Sequence, residues 1–418
     1  MKIRRMTLSP IAIATLWGTM SVCAADSLDG YLAEAADNNP GLKAKFAAYN
    51  AALEQVPQVG SLPDPQVMFG YFIRPVETRV GPQRARISAT QMFPWFGVLG
   101  AKKDAAVTMA KAKYEVFAEA KSRLFFEVKS AYYNLYFTGK AIDITRENIA
   151  ILTTFRNLAL IKVESGLATS VDVLRVEMEI ADLENRRALL EDSFAAQQTG
   201  FNNLLDAKSR STVVLPDTIV IPDRTLAADA TLDSIRNGNH QVLQSEFMEA
   251  AYRKQELVAR KMGKPNFSIG IDYILVGKSS NPMASPSESG RDAIVFPTIG
   301  LSVPIYRQKY TAMAKEAALQ QESQGGERRD RINMLETSFA ATEKEYRDAA
   351  RRVPLFEGQA DKANRALGIL RTEYETSGKN FEEVLRMERQ LLGYELEREK
   401  ARTDKGAAAA FIEYLTGK

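Results

Sequence analysis

The chain carries one histidine, His240, and one cysteine, Cys23, among 52 acidic residues. Zinc sites are built from several imidazole or thiolate ligands at short spacing, and a thiol enzyme sets a cysteine against a histidine. Neither arrangement can be assembled here, and a lone His240 reads as an exposed residue at a helix start. Paired carboxylates of the glycosidase kind remain, but the acids lie on charged helical stretches without an aromatic, pocket-like setting. No GxGxxG or GxxxxGK[ST] segment is present to cradle a nucleotide phosphate. Of the 13 methionines, only Met68, Met92 and Met283 fall in strand or loop segments; methionines scattered through helices read as packing. The chemistry-bearing residues therefore predict no enzyme, no metal and no cofactor.

The elements that would hold any site start with the N-terminus. Lys2, Arg4 and Arg5 precede an apolar run from Ile11 to Val22, and "SVCAAD" offers small residues for cleavage after Ala24. This predicts a secretory signal peptide over residues 1–24. Acylation of Cys23 is the alternative, disfavoured by Val22 where a small residue is usual. Removing three cations and no acid takes the formal charge from +3 to about zero, which gives no basic face for nucleic acid. Nothing later supplies the roughly 18 unbroken apolar residues of a transmembrane helix.

The sequence repeats. "ESGLATSVDVLRVEMEIADLENR" (164–186) matches "TSGKNFEEVLRMERQLLGYELER" (376–398) with one residue deleted after Gly166 and Gly378. Upstream, "DPQVMFGYFI" (64–73) aligns with "KPNFSIGIDYIL" (264–275), and Asn39-Pro40 faces Asn239-His240. Two units follow, 25–208 and 231–418, each a helix, a hairpin and a long helix pair. Between them 209–230 reads as a linker with one short strand.

Segments 66–74 and 84–93 alternate apolar and polar residues, as do 267–275 and 293–303. Length and period fit tilted membrane strands, lipid-facing on one side. Four strands cannot close a barrel, and lipid does not tolerate an open edge, so a membrane sheet requires several chains. From residue 98 the pattern turns helical, about 98–208 and 310–416, with interruptions expected at Gly139 and Pro354. Helices this long with a single apolar stripe must pack as coiled-coil pairs.

Taken with "SLPDP" before the first strand, "FPWFG" after the second, and a glycine-centred turn before "DVLRVE" or "EVLRME", this order resembles the TolC-type outer-membrane efflux proteins. The resemblance implies an α+β membrane protein: four strands per chain in a trimeric twelve-stranded β-barrel, and a coiled-coil helical tunnel in the periplasm. It implies a passive exit duct, with outer-membrane lipid around it and a periplasmic adaptor and an inner-membrane RND or ABC-type pump as partners. By the family's pattern, Asp172, Glu382 and Glu383 are the candidate gate acids at the periplasmic tip. Gly166 and Gly378 shape the turns an adaptor would grip. The sequence departs from the family's pattern at Arg175 and Arg386, where an acid sometimes follows the leucine; these arginines would instead pair with Asp172 and Glu383 one turn away and restrain them. A competing reading is a secreted coiled-coil interaction protein with a small β-tip.

Phe93, Pro94, Trp95, Phe96 and Gly97 fall where a membrane strand becomes a tunnel helix, echoed by Pro304 and Tyr306. Aromatic rings suit that interface, proline ends a ladder and glycine permits a bend.

Overall fold

The computed structural model describes residues 27–207, 212–223, 227–279, 287–377 and 380–418. The signal-peptide segment, Cys23, Met283 and Gly378 lie outside the described residues.

Two short helices, α1 (Leu28–Asn38) and α2 (Pro40–Gly60), lead into strands β1 (Gln66–Thr78) and β2 (Gly81–Phe93), then long helices α3 (Val98–Glu164) and α4 (Ser170–Leu205). The order recurs as α5 (Ala228–Gly238), α6 (His240–Met262), β3 (Asn266–Val276), β4 (Ala293–Ser302), α7 (Arg307–Ser377) and α8 (Phe381–Leu415). With 67 and 71 residues, α3 and α7 each reach on the order of 100 Å at 1.5 Å per residue. No described helix is both long and apolar enough to cross a membrane.

The first helix of each half is in fact two, broken at matching asparagines. Asn39 accepts from Leu42 N–H at 3.0 Å to cap α2, and its amide donates to the Leu204 carbonyl at 3.0 Å. Asn239 does the same for α6, accepting from Gln241 N–H and donating to Leu415 O, both at 2.9 Å. One side chain thus starts one helix and satisfies a carbonyl near the end of another. Around these clamps sit two equivalent cores. Tyr31, Leu135, Phe201 and Leu205 form the first, and Ile235, Phe339, Ile412 and Leu415 the second. A third core runs down the four long helices, through Phe155, Val176, Leu367, Tyr374 and Val384.

Three expectations need correction. Neither Gly139 nor Pro354 interrupts its helix. A Cβ on Gly139 would lie 3.4 Å from Leu215 and 3.6 Å from Phe194, so the glycine lets other segments pack close, against a helix cost of about 1 kcal/mol. Pro354 forfeits a hydrogen bond, on the order of 3 kcal/mol in an isolated helix; buried Tyr346, Ala349, Ala360 and Ala363 on either side hold the turn against its neighbours. The linker contains no strand among its described residues; 212–223 is an extended strap. Its backbone is met by side chains instead of a ladder: Val214 N–H donates to the Tyr31 hydroxyl at 3.0 Å, and the Lys405 amine reaches Ile221 O at 3.1 Å.

The strands form one antiparallel sheet in the order β1-β2-β3-β4, with β2 and β3 joining the two halves. The first hairpin is longer than the alternation suggests: pairing continues to Thr78↔Gly81 beyond a register shift between Tyr71 and Val76. Pro75 sits within that irregularity, where a missing N–H is tolerated. The outer strands, β1 and β4, each leave one edge unpaired.

Candidate gate and barrel surfaces

At the α3–α4 turn the backbone is closed by a Schellman pair. Gly166, at φ +73°, donates to Val163 O at 3.0 Å and Leu167 to Lys162 O at 2.8 Å. Glycine belongs there because the left-handed conformation strains any residue with a Cβ. Helix α4 then starts at Thr169, whose N–H donates to Asp172 Oδ2 at 3.3 Å. The Asp172 carboxylate therefore turns back onto its own helix end, with only 15% of the side chain exposed. It also lies close enough to the buried Tyr374 that, after burial itself, its charge pushes that phenol up.

The other acids face outward. Glu382 is paired with Arg175 at 3.3 Å across the α4–α8 gap, and Arg175 stands 3.8 Å from Asp172 on its own helix. Glu383 pairs with Arg386. Each of these two arginines thus stands beside an acid one turn away on its own helix. The bridge between hairpins, Arg175 to Glu382, was not legible in the sequence, because it joins residues 207 positions apart. A second tie is the Lys162 amine, which donates to the Glu375 carbonyl at 2.5 Å. Helix α7 has no basic residue in its last turn, and α3 supplies the cation its C-terminus favours.

The sheet has two unlike faces. Val67, Phe69, Tyr71, Ile73, Ile87, Ile269, Ile271, Ile299 and Leu301 are all exposed apolar side chains, with Ile73 at 91%. An unshielded apolar surface this continuous marks contact with lipid or a partner. The opposite face gathers polar groups around buried Asp272, which takes hydrogen bonds from Arg86 Nε at 3.1 Å, the Ser88 hydroxyl and Thr298 Oγ1 at 2.8 Å. That cluster ties β2, β3 and β4 on the side away from the apolar face.

Between sheet and helices, Pro94 follows the last ladder residue of β2, and Gly97 takes φ +76° as the N-cap of α3. A Cβ on Gly97 would meet Lys261 Nζ at 2.6 Å, and that amine donates to Gly97 O at 3.2 Å. Trp95 stacks on Phe267 at 5.7 Å, and Phe96 packs against both rings while remaining 78% exposed. In the second half Pro304 and the exposed Tyr306 immediately precede α7.

His240 departs from its expected setting. It is partly buried, with Nδ1 2.8 Å from Glu115 Oε2, because α6 starts against α3. Among the described residues no group of three metal-ligating side chains comes together.

A four-stranded sheet with one apolar face, carried on two helical hairpins about 100 Å long, is a fold seen in solved outer membrane channels. Comparison with known proteins agrees. Residues 31–206 match the family model described as "Outer membrane efflux protein". The fold superposes on the outer membrane protein VceC of Vibrio cholerae at a TM-score of 0.74, with 14% identity and coverage of 93% of this chain and 96% of that one. The CmeC outer membrane channel of Campylobacter jejuni gives 0.73 at 11% identity, covering 99% and 94%. The open state of the Neisseria gonorrhoeae MtrE channel gives 0.73 at 15%, covering 94% and 89%. At these identities the structural likeness is one of fold. No curated protein sequence matches the chain. The match to that family model thus covers the first copy of the repeat, and the likeness over the whole chain is one of fold.

Proposed function

We propose that three copies of this chain close one twelve-stranded barrel in the outer membrane and one helical tunnel beneath it, forming a passive exit duct. The observation that carries this reading is the sheet. Its apolar face is exposed and both outer strands have an unpaired edge, a state lipid does not accept unless neighbouring copies complete the ladder. The polar cluster around Asp272 then lines the lumen. Substrate would be delivered by an inner-membrane RND or ABC-type pump through a periplasmic adaptor that grips the turns at Gly166 and Gly378.

In this reading the tip is the gate. Asp172, Glu382 and Glu383 form its acidic ring, and Arg175 and Arg386 restrain it. The Arg175–Glu382 bridge joins the two hairpins, so its loss should loosen the closed form. The acids should favour cations in the constriction.

The test is fractionation followed by native mass spectrometry in mild detergent and planar-bilayer recording. A trimer from the outer membrane with small, cation-favouring basal currents is expected. Replacing Asp172 and Glu383 by Asn and Gln should raise basal conductance and weaken cation preference. A monomer confined to the soluble periplasmic extract would overturn the duct in favour of a coiled-coil interaction protein.

A further inference from the structure

Glu388 lies in α8 on the seam with α3 and is 1% exposed. Asn148 Nδ2 donates to Oε1 at 2.8 Å, while Oε2 is buried with no hydrogen-bond partner among the described residues. Native proteins seldom leave a buried carboxyl oxygen unmet, because desolvation is then uncompensated.

Among the described residues no cation pairs with it, and the charge that acts on it, Glu395, has Arg398 beside it. From α3 come Asn148, Thr145 and Leu152, all buried, with Glu147 acting on Glu395 farther along. From α7 the core members are Ala363, Leu367 and Tyr374. From α4 Glu179 is taken by Arg389 at 3.3 Å. On α8 itself Arg386 is paired with Glu383, and Glu395 contributes a further negative charge. Burial first, and then Glu395, push the Glu388 carboxyl up to about 7, against the opposing hydrogen bond from Asn148. Glu388 follows Glu383 by five residues, roughly 8 Å of helix above the tip.

We propose that Glu388 is a proton-controlled latch of the tip: as the neutral acid it fills the α3–α8 seam, and as the carboxylate it draws water in and releases the end of α8. Water can reach Oε2 only if α8 parts from α3, since the chain itself encloses the group. A neighbouring copy could bury it further but could not reach it. The consequence for conduction rests on the duct reading; the seam opening does not.

The sign follows from linkage. The closed seam holds the proton more tightly than a hydrated glutamate at its ordinary value of 4.5. Closed packing is therefore fully favoured below that value, weakens by about tenfold per pH unit as pH climbs to about 7, and is flat above.

The decisive experiment is hydrogen exchange of 381–395 in the full-length protein, corrected for intrinsic rates, at about pH 5 and about pH 8, alongside bilayer currents at both. Wild type should open at least about tenfold more at the higher pH. Glu388→Gln keeps the acceptor for Asn148 and cannot ionise, so its exchange should stay near the low-pH level at both. Asn148→Ala removes the one stabilising donor and should move the midpoint of the wild-type profile upward. A Glu388→Gln protein that keeps the wild-type rise, or an unmoved midpoint in Asn148→Ala, overturns the latch. Silence in the bilayer at every pH would count against the duct, while the exchange result still decides the role of Glu388.

Discussion

The two long hairpins follow one plan, yet they close their tips in different ways. The α3–α4 turn satisfies its backbone locally, through Gly166, Leu167 and the Thr169–Asp172 bond. The α7–α8 tip takes the Lys162 amine from the other hairpin, begins α8 from Asn380 at φ +67°, and buries two oxygens without partners among the described residues, Tyr374 Oη and Glu388 Oε2, where the first hairpin leaves guanidinium nitrogens such as Arg156 Nε unmet. Duplication has kept the helix pairing while letting the energetics of the ends diverge. The first hairpin reads as the rigid half of the tip and the second as the half nearer to opening.

The strongest challenge to that contrast is Tyr374. The ring is 1% exposed and lies 4.7 Å from Phe381 across the α7–α8 seam. Tyr374→Ala should cost about 3–5 kcal/mol of local stability, through lost burial and the cavity left behind. Tyr374→Phe should do the opposite, gaining about 1 kcal/mol, because it removes a buried hydroxyl with no partner among the described residues. Hydrogen exchange over 370–390 reads both. If Tyr374→Phe loosens the segment, the hydroxyl has a partner in solution and the second tip is not the weaker one.

How much of this could be read from the sequence differs by region for physical reasons. The strands were legible because alternation is a one-residue rule, and the junctions because Pro94, Gly97 and Pro304 punctuate the chain locally. The helix breaks expected at Gly139 and Pro354 failed because packing along the seams overrides local propensity. The linker alternated like a strand but had no ladder to join. The Arg175–Glu382 bridge depends on how two distant hairpins approach, which no local pattern encodes. Glu388 did leave a signal: Phe381, Val384, Leu385, Leu391 and Leu392 form an apolar stripe, and Glu388 stands at the helical position between them. An acid in a core register is a sequence-level anomaly, hidden here by the density of charge around it.

A second prediction probes the rigid half. A Cβ at Gly166 would meet nothing within 4 Å, so Gly166→Ala meets no steric clash and its cost is that of the φ +73° backbone alone. That conformation costs an L-residue about 1–2 kcal/mol. Exchange at 160–172 should rise by roughly tenfold, while 381–395 stays unchanged if the tips are energetically separate. A matching rise at both would show that the tips open as one unit.

The smallest effect belongs to the bridge that spans them. Glu382 is 71% exposed and Arg175 45%, and such pairs contribute between about zero and 1 kcal/mol, less in salt. Arg175→Gln should therefore barely change thermal stability, and its effect should fade as salt is raised. Its influence should appear in coupling instead. In a cycle of Arg175→Gln, Glu382→Gln and the double variant, a non-additive term of about 0.5 kcal/mol or less is expected at low salt. If each single change instead raises basal current as much as the double does, the two residues act through one contact, and a weak bond is enough to set the gate. A tip whose second half holds polar groups unmet among the described residues has little packing energy in reserve, so a fraction of a kcal/mol is enough to shift its population.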